Sequence, residues 1–233
     1  MLKDFTAALT RSIFLLLGVY VPTLILVYAL ILSATNTGTN QPLPTQNVLP
    51  LTILFSLFFA LLMMASIGGR SLKVVALKTT SLKYLGFSLV IGAVLAFVFR
   101  WLFVRFAGPP PVIESLKGWQ IIFFLWISSP LELEVIFRGL FQGIFQESYP
   151  QVIHLEKWQL SVAALVSAII FAIYQGFLLG NRAPLSTVNL ILLGSFLVGL
   201  SAGQFRFRTD SLLPGILIHL LFNVIALFPL MLI

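Results

Sequence analysis

Seven long apolar runs, separated by shorter polar segments, constrain the fold of this chain more than any other feature of its sequence. A helix of about 20 apolar residues is long enough to cross the hydrocarbon core of a bilayer. The sequence therefore predicts an all-α polytopic membrane protein with about seven transmembrane helices. The first run is too long for the apolar core of a signal peptide, and we expect it to be a retained span. The predicted spans are residues 12–33, 48–66, 84–106, 119–146, 160–179, 187–204 and 211–231.

The composition excludes the other broad classes of protein. Only 9% of the 233 residues are charged, whereas 59% are hydrophobic and the mean hydropathy is +1.06. A soluble domain carries about 25% charged residues, and a disordered chain carries few hydrophobic ones. The absence of cysteine excludes disulfides, thiolate metal sites and a cysteine nucleophile.

The basic residues predict how the spans are oriented, because cytoplasmic loops are enriched in Lys and Arg. With the N-terminus cytoplasmic or stromal, nine basic residues fall on the inner side, three fall on the outer side, and the C-terminus lies opposite the N-terminus. The pattern fits a bacterial inner, a thylakoid or a plastid membrane. The inner set is Lys3, Arg11, Arg70, Lys73, Lys78, Lys83, Lys157, Arg206 and Arg208, and the outer set is Arg105, Lys117 and Arg182.

Ionisable residues inside the fourth run are candidates for function, because a charge in a bilayer costs about 2.5–3.5 kcal/mol on insertion scales. Glu134, Arg138 and Gln142 recur every four residues and share one face of a helix. Glu134 and Arg138 can therefore pair. The pair is either part of a functional site or a structural salt bridge that fixes this helix in the bundle.

Glu132 also has two interpretations. The segment Ser129-Pro130-Leu131-Glu132 matches a capping box, with Ser at the N-cap, Pro at the first helical position and Glu at the third. This pattern predicts that a helix begins at Pro130 inside the long apolar run and that Glu132 caps it. Alternatively, Glu132 is a reactive carboxylate.

Polar residues are also present in later runs. Gln175 is a lone amide in the fifth run and is predicted to form a hydrogen bond between helices. His219 and Asn223 share a helical face in the last run, and the histidine is a candidate base, ligand or hydrogen-bond anchor. Small residues at four-residue spacing predict close helix packing. They are Gly139 with Gly143, and Ser195 with Gly199 and Gly203.

Three of these segments, in this order, resemble the motifs of the CPBP family of CAAX proteases and bacteriocin-processing enzymes, also called the Abi family. The family's motifs are EExxxR, preceded by Pro and followed by Gly, then FxxxH, then HxxxN. The matching segments are residues 130–139, 171–175 and 219–223, and the resemblance covers about residues 115–228. It implies a CPBP-like helical bundle in residues 111–233, after N-terminal transmembrane helices and a basic cytoplasmic loop in residues 1–110.

In active relatives, the first Glu is thought to activate water, and the histidines bind that water or stabilise the oxyanion. A metal role has also been argued for the family. Two decisive positions differ here, because Leu133 replaces the first Glu and Gln175 replaces the histidine of the second motif. Leucine cannot accept a proton, and an amide is neither acid nor base near neutral pH. The site residues that the resemblance carries over are Glu134, Arg138, His219 and Asn223.

These departures favour a catalytically degenerate family member that serves as a scaffold, an assembly factor or a subunit of a membrane complex. The alternative is an active intramembrane endopeptidase of glutamic or metallo type, which uses Glu134, or Glu132 after a local rewinding near Pro130. A small transporter or channel is a third interpretation, although no internal repeat supports it. The expected partners are the lipid bilayer and other integral membrane proteins, not nucleic acid. No cofactor and no metal site are predicted, and a bound lipid or pigment stays open.

Overall fold

The computed structural model describes residues 2–36, 45–67, 78–107, 116–156, 158–179 and 183–227. Within these residues, the fold consists of seven helices and one short β-hairpin. The helices are α1 (Leu2–Asn36), α2 (Thr45–Ile67), α3 (Leu82–Phe106), α4 (Gly118–Ser148), α5 (Val162–Leu179), α6 (Leu185–Thr209) and α7 (Leu213–Phe222). A π-helical turn, Asn223–Leu227, continues α7. The antiparallel hairpin between α4 and α5 consists of β1 (Val152–Leu155) and β2 (Trp158–Ser161).

Five of the described helices, α1, α2, α3, α4 and α6, are long and apolar enough to cross a membrane. The other two, α5 and α7, are shorter apolar helices. Each predicted span overlaps one of the seven helices. The predicted fold class, an all-α polytopic membrane protein, is therefore confirmed.

The start of α1 differs from the sequence prediction, which begins the first span at residue 12. The helix begins at Leu2 because its first turns pack against the end of α4. The ring of Phe5 lies edge-on to Phe145, with 5.6 Å between the ring centroids, and edge-on to Tyr149, with 5.4 Å between the centroids. Tertiary contact therefore extends the helix beyond its apolar run.

The winding of α4 contradicts the prediction of a helix that begins at Pro130. Helical structure runs through this position, with π-helical segments at Ile121–Ser128 and Glu134–Phe141 on either side of it. A proline ring inside an α-helix clashes with the carbonyl four residues earlier. The wider π-helical turn before Pro130 moves that carbonyl, so the helix continues without a break.

The second half of α4 occupies the centre of the bundle. Its residues are buried without interruption from Glu132 to Gly143, and α1, α2, α5, α6 and α7 surround them. Outside this centre, α5 packs along α6, and α3 packs along α7. The polar residues of α4 therefore lie where several helices meet, and not against lipid.

Several helix ends that the sequence assigns to the inner side lie together. Phe5 of α1 contacts the end of α4, Ser161 of β2 contacts Gln204 near the end of α6, and Lys78 before α3 pairs with Asp210 after α6. We call this region the basic end, which is defined by the described residues Lys3, Arg11, Lys78, Lys83, Arg206 and Arg208. Among the basic residues that the sequence assigns to the two sides, Arg70, Lys73, Lys157 and Arg182 lie outside the described residues, whereas Arg105 lies in the last turn of α3 and Lys117 directly precedes α4.

Candidate functional site

The Glu134–Arg138 pair predicted from the sequence is present and fully buried. Arg138 Nη1 lies 3.5 Å from Glu134 Oε1, and neither side chain is exposed. The guanidinium carbon also lies 4.3 Å from the ring centroid of Phe171 on α5, where a cation is attracted to the face of the ring. Opposite charge and an aromatic face offset part of the cost of burying Arg138, although none of its guanidinium nitrogens has a hydrogen-bond partner within the described residues.

His219 of α7 completes this cluster. Its Nδ1 atom lies 3.2 Å from Glu134 Oε1, and its ring is edge-on to Phe171 with 5.5 Å between the centroids. A carboxylate only accepts hydrogen bonds, so this contact requires the proton of the imidazole on Nδ1 when Glu134 is ionised. Residues from α4, α5 and α7, which carry the three sequence motifs, therefore meet at one carboxylate.

Three glycines make room for the polar stripe of α4. A β-carbon at Gly199 would lie 2.5 Å from Arg138 Nη2, and one at Gly203 would lie 2.8 Å from Gln142 Oε1. A β-carbon at Gly215 of α7 would lie 2.7 Å from Glu134 Oε2. These distances are shorter than any real contact of a β-carbon. Close packing at Gly199 and Gly203 was predicted from their spacing, and it is confirmed. It makes room for the side chains of Arg138 and Gln142.

The structure changes the role that the sequence gives to Arg206. The sequence assigns this residue to an inner loop, whereas its side chain is buried and its Nε atom donates a hydrogen bond of 2.9 Å to the carbonyl oxygen of Arg138. One signal in the sequence points to this position. Arg206 follows Gly199 and Gly203 at helical spacing, so it lies on the helix face that packs against α4.

Asn223 faces α4, as its spacing from His219 predicts, but it bonds to the backbone. Its Nδ2 atom donates a hydrogen bond of 3.0 Å to the carbonyl oxygen of Leu125. In the π-helical segment, the N–H of Ser129 bonds to the carbonyl of Phe124, so the same pattern would pair residue 130 with Leu125. Pro130 has no N–H to donate. Asn223 therefore supplies the donor that Pro130 lacks.

Leu133 occupies the position of the family's first Glu and is buried among apolar side chains. Its cluster includes Val19 of α1, Ala60 and Met64 of α2, and Phe171 of α5. The phenol rings of Tyr20 and Tyr174 also pack against this cluster, so the surroundings of Leu133 are mainly apolar but include two hydroxyl groups.

Glu132 does not cap a helix, so the capping interpretation is wrong. Its Oε1 atom lies 2.6 Å from Ser56 Oγ of α2, and the helix forms no side-chain cap at Ser128. The phenol groups of Tyr20 and Tyr174 lie within electrostatic range of the same carboxyl group. The capping pattern misled because the helix continues through Pro130 and turns Glu132 toward α1 and α2.

Gln175 is half-buried on α5, one helical turn after Phe171. Within the described residues, its side chain makes no hydrogen bond to another helix, so the bond between helices that the sequence predicts is not found there. The structure thus brings Glu134, Arg138 and His219 together, whereas Gln175 and Glu132 lie outside that cluster.

The fold and this cluster define an integral membrane protein whose core helices enclose a buried polar site. Residues 115–225 match the Rce1-like family model, whose description is type II CAAX prenyl endopeptidase Rce1-like. The chain therefore contains an Rce1-like domain of the CPBP family in its C-terminal half, which confirms the resemblance seen in the three motifs. No curated protein and no solved structure matches the chain.

The metal that has been argued for this family does not fit the residues of the cluster. Glu134 and His219 are two ligand-type side chains, but a metal site in a protein needs more, and the guanidinium of Arg138 lies against the same carboxylate. Its charge repels a cation there. Within the described residues, no group of three His, Asp or Glu side chains is placed to hold a metal ion.

Proposed function

We propose that this Rce1-like membrane protein has lost endopeptidase chemistry and uses its helical bundle as a scaffold, an assembly factor or a subunit of a membrane complex. The observation that carries the proposal is the position of Leu133. An amide hydrolase of this design needs a base that turns water into a nucleophile. Leu133 stands where the family has that base, and apolar side chains of α1, α2 and α5 pack around it.

The neighbouring carboxylates support the same conclusion. Glu134 is shared between Arg138 and His219, so its charge is already neutralised by a buried partner. Glu132 is bonded to Ser56 on the other side of α4. Neither group combines the free charge and the open position that a base for water requires.

The scaffold function also explains why the rest of the site persists. Arg138, Asn223 and Arg206 contact side chains or carbonyl groups of the bundle, and these contacts hold α4 against α5, α6 and α7. A bundle fixed in this way offers rigid helical surfaces to other integral membrane proteins, which are the partner class that we propose.

The alternative function is an active intramembrane endopeptidase with Glu134 as its base. One observation favours it, because Glu134 Oε1 lies 3.2 Å from His219 Nδ1 while Oε2 has no hydrogen-bond partner within the described residues. In that case, Oε2 takes the proton of a water molecule. Gln175, His219 and Asn223 would then hold that water or stabilise the oxyanion. This requires Gln175 to turn toward the cluster and Asn223 to use the Nδ2 proton that does not bond to Leu125.

A peptidase assay separates the two functions. The purified protein in nanodiscs is incubated with a farnesylated peptide that ends in a CAAX sequence, and a catalytically competent CAAX endopeptidase serves as the positive control. We expect no cleavage above the level without protein. Cleavage that disappears in Glu134→Ala would establish the alternative, and loss in Glu132→Gln would assign the base to Glu132.

A second experiment tests the scaffold function directly. The tagged protein is isolated in mild detergent, and any protein that accompanies it in stoichiometric amounts is purified and recombined with it. We expect a stable complex of defined mass on size exclusion with light scattering. A chain that stays uncomplexed with every accompanying protein would contradict the scaffold function.

A further inference from the structure

The β-hairpin lies outside the polar cluster, and its two faces differ in character. Residues that pair across an antiparallel hairpin lie on the same face of it. One face is polar apart from Val152 and consists of the pairs Val152–Ser161 and His154–Gln159. The other face is entirely apolar and consists of the pairs Ile153–Leu160 and Leu155–Trp158. We call this second set the apolar hairpin face.

The apolar hairpin face is open to its surroundings. Leu155 is 53% exposed, Trp158 is 67% exposed, and Ile153 is also exposed. An isolated two-stranded hairpin is at best marginally stable in water, and exposing large apolar side chains to water is unfavourable. A hairpin with this face therefore needs an apolar neighbour.

Helix α6 holds the hairpin in one orientation. The side-chain amide of Gln204 bonds to the open edge of β2, where Nε2 donates to the carbonyl of Gln159 and Oε1 accepts from the N–H of Ser161. One turn later, the guanidinium carbon of Arg208 lies 5.3 Å from the ring centroid of Trp158. These contacts make the apolar hairpin face a fixed surface.

The position of the hairpin indicates what covers that surface. The hairpin begins four residues after α4 ends at Ser148, and α5 begins directly after it at Val162, so both ends are tied to apolar helices. Such a short connection stays close to the level of the lipid headgroups. Trp is enriched at this level in membrane proteins because its ring is apolar and its N–H is polar.

The charge of the basic end favours anionic lipid. The sequence places nine basic residues on this side, and eight remain once the buried Arg206 is set aside, against four acidic ones, which are Asp4, Glu147, Glu156 and Asp210. Basic residues beside a membrane surface are attracted to anionic headgroups. Arg208 is exposed and lies over Trp158, so its charge is directly beside the apolar hairpin face.

We propose that the β-hairpin is an interfacial anchor whose apolar face lies in the headgroup layer of a bilayer that contains anionic phospholipid. Ile153, Leu155, Trp158 and Leu160 enter the boundary between headgroups and acyl chains, and Arg208 binds lipid phosphate. The anchor fixes the depth of α5 and α6 in the membrane. It does not depend on whether the polar cluster is catalytic.

The absence of cysteine from the chain permits a direct test with single-cysteine variants. Leu155→Cys is compared with His154→Cys, its neighbour on the opposite face, each carrying a nitroxide spin label in nanodiscs of phosphatidylcholine with phosphatidylglycerol. At position 155, we expect collisions with oxygen, which partitions into lipid, to exceed collisions with a water-soluble nickel complex several-fold. At position 154, we expect the reverse order.

Further variants keep the test decisive if Leu155→Cys does not fold. Two further single-cysteine variants repeat the comparison, Ile153→Cys on the apolar hairpin face and Gln159→Cys on the polar face. In the Leu155→Cys background, Arg208→Gln is expected to move the label toward water, whereas Lys83→Gln, another exposed base at the basic end, is expected to leave it in place. Replacement of phosphatidylglycerol by phosphatidylcholine is expected to act like Arg208→Gln.

Three results would overturn the proposal. Equal access of the nickel complex to both faces would mean that the hairpin projects into water. Shielding of position 155 from oxygen and nickel alike would mean that protein covers the apolar hairpin face. An unchanged label depth without phosphatidylglycerol would remove the role of anionic lipid.

Discussion

Leu133 is surrounded by apolar side chains from α1, α2 and α5 and by Leu212 from the loop before α7. A carboxylate at this position would lose its hydration, which is costly inside a protein unless the hydroxyl group of Tyr20 or Tyr174, which pack against the same cluster, donates to it. Residue 175, half-buried on α5, is the second position at which the chain departs from its family. At the scale of residues, the proposed loss of peptidase chemistry therefore rests on two positions on different helices.

Restoring both side chains tests whether chemistry alone was lost. If only chemistry was lost, we expect Leu133→Glu with Gln175→His to cleave the farnesylated CAAX peptide at a rate about 100-fold above the level without protein, at the lower limit of what a positioned base contributes. The measurement is peptide cleavage by purified protein in nanodiscs.

Leu133→Glu alone is the matched control and should stay inactive, because the imidazole of the second motif is still missing. A double variant that folds but does not cleave would contradict the prediction. That result would mean that packing around position 133 has closed the site to substrate.

Glu132 and Ser56 form a second buried contact, and the hydrogen bonds of Ser56 indicate whether Glu132 carries a proton. Ser56 Oγ lies 2.6 Å from Glu132 Oε1 and 3.1 Å from the carbonyl oxygen of Ile53. A hydroxyl group has one proton, so it can donate a full hydrogen bond to only one of these acceptors. Both contacts are satisfied if Glu132 is protonated. Its carboxyl O–H then donates a hydrogen bond to Ser56 Oγ, and the hydroxyl of Ser56 donates to the carbonyl oxygen of Ile53.

This arrangement predicts that a neutral donor can replace Glu132. We expect Glu132→Gln to unfold at nearly the same temperature as the unsubstituted protein, because its amide donates to Ser56 in the same way. Glu132→Ala should lower the free energy of unfolding by about 2 kcal/mol through a lost hydrogen bond and a cavity. Thermal unfolding in detergent, followed by tryptophan fluorescence, measures both. Equal destabilisation by Gln and Ala would mean that Glu132 is ionised.

At the scale of elements, α4 is the helix that the sequence describes least well. The sequence Ser129-Pro130-Leu131-Glu132 is compatible both with the start of a helix and with a position inside one. The outcome depends on α7, because Asn223 compensates for the N–H that Pro130 lacks. Without that distant donor, the carbonyl of Leu125 would be unpaired inside the membrane, which is unfavourable.

A double-mutant cycle tests this relation between α4 and α7. We expect Asn223→Ala to cost about 1 kcal/mol of stability, since it leaves the carbonyl of Leu125 unpaired. In the Pro130→Ala background, the backbone N–H of residue 130 becomes available, and the same substitution should cost less. Unfolding of the four proteins in detergent gives the coupling energy. Equal costs in both backgrounds would contradict the proposed compensation.

At the scale of the whole molecule, one end of the helical bundle carries more basic residues than the other. Contacts between α1 and α4, between β2 and α6, and between Lys78 and Asp210 bring the predicted inner segments together. This grouping agrees with the positive-inside pattern, which predicts that the basic end faces the cytoplasm or stroma.

Labelling of two uncharged, exposed positions tests that orientation and leaves every basic residue in place. Thr79→Cys lies just before α3 at the basic end, and Gly118→Cys lies at the opposite end of the bundle, at the start of α4. We expect a membrane-impermeant maleimide added to intact bacterial cells that express the protein to label position 118. Position 79 should react only after permeabilisation. The reverse pattern would mean that the orientation is inverted.

The sequence by itself determined the class of the protein and much of its layout. Apolar runs of spanning length located the seven helices, because burying a helix in lipid depends mainly on local composition. The spacing of Glu134 and Arg138 predicted their pair, and the spacing of Gly199 and Gly203 predicted close packing, because both relations lie within one helix turn.

Only the tertiary structure decided which distant groups meet. The contact of His219 with Glu134, of Ser56 with Glu132, and of Asn223 with the carbonyl of Leu125 joins segments that are far apart in the chain. A buried polar group must find a partner, but its own sequence neighbourhood does not say which one. The packing of the other helices around α4 determines which partner each polar group meets. It also places Glu132 against Ser56 and away from the cluster of Glu134, Arg138 and His219.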